Sequence, residues 1–116
     1  MNNKKISKIE KKIEKETINM SESEKELFFK SIGYRVLKLR LEHGFSQLNL
    51  AKKAGAASYQ SIQNVEKNKV KIPRFIDELA KALGASTDYL INGEGNPKNV
   101  NQISFFMKTL QRFLLN

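Results

Sequence analysis

The sequence predicts an all-α protein: five helices in one domain, a charged N-terminal arm before them and a separate amphipathic helix after them. Three observations carry this. Apolar residues recur at spacings of three and four through most of the chain. Serines stand where these runs begin and glycines where they end, the pattern of helix caps. Alternation of apolar and polar residues never persists beyond a few positions, and there is no internal repeat or low-complexity tract, so neither a sheet nor a solenoid is indicated.

Taken in order, residues 1–26 carry Ile6, Ile9 and Ile13 on one face among many Lys and Glu. Three isoleucines make a thin contact, so a marginal helix and a mobile arm fit this segment equally. The domain occupies residues 27–93. Its first helix is introduced by a capping-box pattern, Ser23-x-x-Glu26, and continues through Ile32, Val36 and Leu39 until Gly44 stops it. A second runs from Gln47 to Ala54 with Leu50, Ala51 and Ala54 inward. Ser58 caps a third, whose inward residues are Ile62 and Val65. Pro73 suits the first turn of a fourth, with the stripe Ile76, Leu79, Ala80 and Leu83 and an end at Gly84. Ser86 caps a fifth, Thr87 to Ile91. Two glycines and a proline in Asn92-Gly93-Glu94-Gly95-Asn96-Pro97 then mark a linker, set at residues 94–99. Residues 100–116 form the amphipathic C-terminal helix.

A chain of 116 residues with 40% apolar content fits one compact domain with short appendages. Lys and Arg number 21 against 12 acids, a net +9 that points to a polyanionic partner, either nucleic acid or an anionic membrane surface. The stretch from Gln47 to Arg74 concentrates that charge, holding Lys52, Lys53, Lys67, Lys69, Lys71 and Arg74 against Glu66 alone, a local +5. With no cysteine and one histidine, disulfides, thiolate chemistry and an ordinary zinc centre are unexpected. No cofactor is expected either. Met1 to Lys5 is positive like the start of a signal peptide, but no apolar stretch follows it, and nothing approaches a membrane span, so a cytoplasmic location is expected.

The most specific pattern lies within Ser46 to Pro73. Gln47, Leu50-Ala51, Gly55, Ile62, Glu66 and Pro73 fall in an order and spacing that resemble the helix-turn-helix domain of the lambdoid phage repressor and Cro type, the xenobiotic-response-element family. Leu39-Arg40, Gly44-Phe45-Ser46, Arg74-Phe75 and Ser86-x-Asp88-Tyr89-Leu90 extend the likeness over about 63 residues, Gly33 to Gly95. Gly55 to Ile62 spans seven steps, one more than is common in the family, which puts an extra residue in the turn Gly55-Ala56-Ala57. Small residues suit a close helix crossing there, and Ala51, Ala54 and Ala57 supply them.

The resemblance implies a lambda-repressor-like five-helix fold that binds double-stranded DNA through the major groove. On that reading the third helix turns Tyr59, Gln60 and Asn64 toward base edges, with Ser61 and Gln63 beside them. Gln and Asn amides can pair bidentately with adenine, which makes Gln60 and Asn64 the leading readers. Phosphates would be met by Gln47 at the second helix's start, by Lys67, Lys69 and Lys71 in the following loop, and by Arg74 and the Phe75 amide before the fourth helix. Arg40 and Glu66 occupy positions that form an internal ion pair in the family. No constellation suggests catalysis: Asp77 and Glu78 diverge on a helix, no serine neighbours a plausible base, and His43 reads as a residue at a helix end. The protein is not expected to be an enzyme.

After the linker, Ile103, Phe106, Met107, Leu110, Phe113 and Leu114 follow amphipathic spacing. One helix cannot bury that stripe alone, so it packs on the domain, pairs in a homodimer or docks on a protein partner; membrane contact is disfavoured. The function implied is a cytoplasmic transcription regulator, a small repressor on a palindromic operator as a dimer. The alternative is an antitoxin-type protein that neutralises a partner and regulates its own synthesis through the same domain.

Overall fold

The structure, a computed structural model, describes residues 3–94. Among the described residues there are seven helices and no strand: α1 (Asn3–Thr17), α2 (Glu22–Phe29), α3 (Ile32–His43), α4 (Gln47–Lys53), α5 (Tyr59–Glu66), α6 (Ile76–Leu83) and α7 (Thr87–Asn92). The stripe from Ile103 to Leu114 lies outside the described residues, and so does the contact expected of it.

The N-terminal half differs from its sequence expectation in two ways. What was expected as one helix from Ser23 to Gly44 is two, and the capping box sits two residues earlier. Ser21 Oγ accepts the Glu24 amide at 3.2 Å and Glu24 Oε1 accepts the Ser21 amide at 3.4 Å. The break comes at Ser31, whose hydroxyl donates to the Phe28 carbonyl at 2.6 Å and accepts the Tyr34 amide at 3.2 Å. One short polar side chain thus closes α2 and opens α3, outcompeting the backbone bonds that would have joined them. The segment before them is helical as α1, with Ile9 and Ile13 packed against a small cluster of Phe28, Leu37 and Leu41.

In the second half, Ser46 caps α4 through the Asn49 amide at 3.0 Å, and Ser86 caps α7 through the Tyr89 amide at 3.0 Å. Gly55 adopts a left-handed φ of 65° and closes α4, with the Ala56 amide donating to the Ala51 carbonyl at 2.9 Å. The buried contact residues at this turn are Ala51 and Ala54, with Ala56 partly buried against the core; Ala57 is exposed, not at the crossing. Ser58 holds the N-cap position of α5 in extended conformation, yet its hydroxyl makes no capping bond. Pro73 is not in the first turn of α6. It begins a separate turn in which its carbonyl accepts the Ile76 amide at 3.2 Å, and Phe75 takes the cap position.

Packing centres on α3, which touches α1, α2, α5, α6 and α7. Its Ile32, Val36 and Leu39 enter the main core with Leu50, Ile62, Val65, Leu79, Leu83 and Leu90, while Leu37 and Leu41 face the N-terminal cluster. A helix buried on two sides cannot show a single apolar stripe. Arg35, on the same helix, is buried without a carboxylate partner among the described residues. Its guanidinium donates to the carbonyls of Leu90, Ile91 and Lys30, each at 2.9 Å, and so sits at the negative ends of α7 and α2. Burial lowers the Arg35 pKa from its ordinary value, with Tyr89 opposing the shift.

Candidate nucleic-acid interface

α5 is anchored by Ile62, Val65 and Glu66, all buried, so the rest of its short circumference is what it presents outward. At about 100° per residue, Gln60 and Asn64 lie one above the other on the side opposite that anchor. Tyr59 and Gln60 are exposed; Ser61, Gln63 and Asn64 are half-buried. The five expected readers do not share one direction. Ser61 and Asn64 line a groove of about 570 Å³ with Val70, Pro73, Arg74 and Phe75, whereas Tyr59, Gln60 and Gln63 stand outside it.

Behind this face, Arg40 and Glu66 form a bidentate pair, Nε to Oε2 and Nη2 to Oε1, the second at 3.1 Å. Arg40 Nη1 also donates to the Phe45 carbonyl at 2.9 Å. Gln47 joins them, its Nε2 donating to Glu66 Oε1 at 3.1 Å. The Glu66 side chain is 7% exposed and that of Arg40 11%, so the cluster is nearly dry and ties α3, α4 and α5 at one point. Gln47 therefore has one amide hydrogen committed internally, a use its place at the start of α4 does not announce.

The cations expected to meet an anion are open. Lys67, Lys69, Lys71 and Arg74 are exposed, and among the described residues none of them pairs with a carboxylate. The Phe75 amide donates to no backbone carbonyl among the described residues.

One residue in this loop escaped the sequence reading. Asn68 takes a left-handed φ of 58°, and its side chain reaches back to the first turn of α3. Oδ1 accepts the Gly33 amide at 2.9 Å, and Nδ2 donates to Ser31 Oγ at 3.0 Å. The signal was present in kind: Asn tolerates the left-handed region and readily bonds backbone amides. Its partner lay 35 residues away, beyond the reach of local pattern. The clasp depends on Gly33, where a Cβ would stand 2.5 Å from the Glu66 carbonyl oxygen and 2.7 Å from Asn68 Oδ1. Gly33→Ala is expected to cost about 1 to 3 kcal/mol through that overpacking, while the exposed Glu42→Ala on the same helix costs little. Urea midpoints compare the two; equal midpoints would mean that α3 and α5 separate freely at this contact.

No family model matches the chain. Among the described residues no helix is long and apolar enough to cross a membrane, and no group of three His, Cys, Asp or Glu side chains could hold a metal ion.

Proposed function

We propose that residues 27–93 are a helix-turn-helix DNA-binding domain of the phage repressor and Cro type, with α4 and α5 as its two motif helices and α5 in the major groove. The observation that carries this reading is on and beside α5: the amides of Gln60 and Asn64 lie on the side away from the buried Ile62, Val65 and Glu66, Arg74 shares a groove with Asn64, and Lys67, Lys69 and Lys71 follow α5 in the chain, all four cations being exposed and, among the described residues, without a carboxylate partner. Bidentate amides read adenine edges; unpaired cations hold phosphates. Gln60 and Asn64 are the readers, Tyr59 and Gln63 flank them, and Ser61 lies with Asn64 beside Arg74. Lys67, Lys69, Lys71, Arg74 and the Phe75 amide grip the backbone, with Gln47 contributing the amide hydrogen that Glu66 does not use. The protein acts as a homodimer on a two-fold site and regulates transcription.

The test is selection of bound duplexes from a random pool, followed by Gln60→Ala and Asn64→Ala measured on the selected site and on a scrambled duplex at one salt concentration. Each variant is expected to lose about 1 to 3 kcal/mol on the selected site and little on the scrambled one, because non-specific binding rests on phosphates. An equal loss on both duplexes would remove these residues from base reading and shift it to Tyr59, Ser61 or Gln63. Failure to recover any duplex would remove the proposed function.

A further inference from the structure

We propose that the groove between α2 and the loop carrying residues 67–71 is the docking site of this chain's own C-terminal apolar segment, residues 103–114. The groove encloses about 790 Å³, and its apolar lining is Met20, Leu27, Phe28, Ile32, Val70 and Ile91. Its two lips are its most exposed apolar groups: Leu27 on α2 is 72% exposed and Val70 on the loop 39%. Apolar surface on both sides of a cleft is what an apolar occupant would cover.

The path of the chain identifies the occupant. α7 delivers the chain to the edge of this groove: Ile91 lines it, and the Gly93 turn lies on Arg35, which lines it too, with a Cβ at Gly93 falling 3.0 Å from Arg35 Nη1. Nine residues, 94–102, then separate this edge from Ile103, the first of six apolar residues at helical spacing in a stretch, 103–114, with no acidic side chain. A random coil of that length has a root-mean-square reach of roughly 15 Å. A segment so tethered meets the groove at an effective concentration in the millimolar range, far above that of a second copy at micromolar protein. An apolar stripe and an apolar groove joined by a short stretch of chain bury each other before either finds a neighbour. The occupied groove has as its far lip the loop that bears Lys67 and Lys71, so the segment lies beside the proposed phosphate face without being part of it.

The absence of native cysteine makes the test clean. In the full chain, Leu27→Cys is combined with Leu110→Cys, and the control combines Lys81→Cys with Leu110→Cys; Lys81 lies on α6 and does not line this groove. Leu27 is exposed, so its replacement leaves the core intact, and Val70→Cys on the opposite lip repeats the measurement independently. At micromolar protein under mild oxidation, the groove pairs are expected to close an internal disulfide about a hundredfold faster than the protein cross-links between copies. The same pairs should outrun the control by a similar factor. Cross-links between copies that outpace internal closure would overturn the proposal in favour of a second copy as occupant. Equal rates in groove and control pairs would overturn it by showing no preferred contact. Neither readout involves DNA, so the outcome stands apart from that of the proposed function.

Discussion

Replacing Arg40 by Ala is expected to destabilise the protein by about 3 to 5 kcal/mol, because it strands a carboxylate that has almost no access to water. Glu66 accepts from Arg40 through both oxygens and from Gln47 through one, with its side chain 7% exposed. After the substitution only the neutral Gln47 amide remains against a buried negative charge, and the Phe45 carbonyl loses its donor as well. A domain of this size has a total stability of roughly 5 to 15 kcal/mol, so the loss is a large share of the total and consumes all of it only at the lower end of that range. Arg40→Lys recovers only part of the loss, since an ammonium cannot form the planar fork. Lys81→Ala, an exposed site, serves as the control. Urea midpoints decide it: if Arg40→Ala and Lys81→Ala melted together, the pair would contribute nothing net.

On the proposed function, DNA affinity is expected to fall steeply with salt. Four exposed cations per protomer, Lys67, Lys69, Lys71 and Arg74, make eight in the proposed dimer, and counterion release gives a slope of about −0.9 per neutralised phosphate. Eight contacts place the loss between 50 and 200 mM salt on the order of 10³ to 10⁵ in affinity. Changing Lys67, Lys71 or Arg74 singly to Ala should weaken selected and scrambled duplexes alike and lower the slope by about one for each contact removed. The titration separates this surface from the readers, whose loss leaves the slope unchanged. A flat response to salt would sink the phosphate surface while leaving the fold untouched.

Much of the architecture was legible because its signals are local. Ser46, Ser86, Gly44, Gly55 and Gly84 each act within one helical turn, and each stands in the structure where that turn begins or ends. The core stripes of α5 and α6 were legible for the same reason, since each helix buries one side only. Where competing local signals met, the sequence was ambiguous. The capping box expected at Ser23 and Glu26 is formed instead by Ser21 and Glu24, which carry the same spacing two residues earlier. Ser31 lies in a run that reads as continuous helix, and its hydroxyl ends one helix and starts the next. Pro73 satisfies the rule for a first helical turn, yet the chain needs one more turn, from Pro73 to Ile76, before α6 begins.

By itself, the sequence determined that the described chain is helical, where most of its helices stop, and that positive charge gathers between Gln47 and Arg74. These follow from interactions between residues a few positions apart, which periodicity and capping chemistry report directly. Only the tertiary structure decided that α3 is buried on two sides, that Arg35 rests on the carbonyl ends of α2 and α7, and that Gln47 completes the Arg40–Glu66 cluster. It alone also joined Asn68 to Ser31 and Gly33. Apart from the bond between Arg35 and Lys30, five residues apart, those contacts link groups far apart along the chain, and which distant donor meets which acceptor depends on how helices cross, a property that no local window contains.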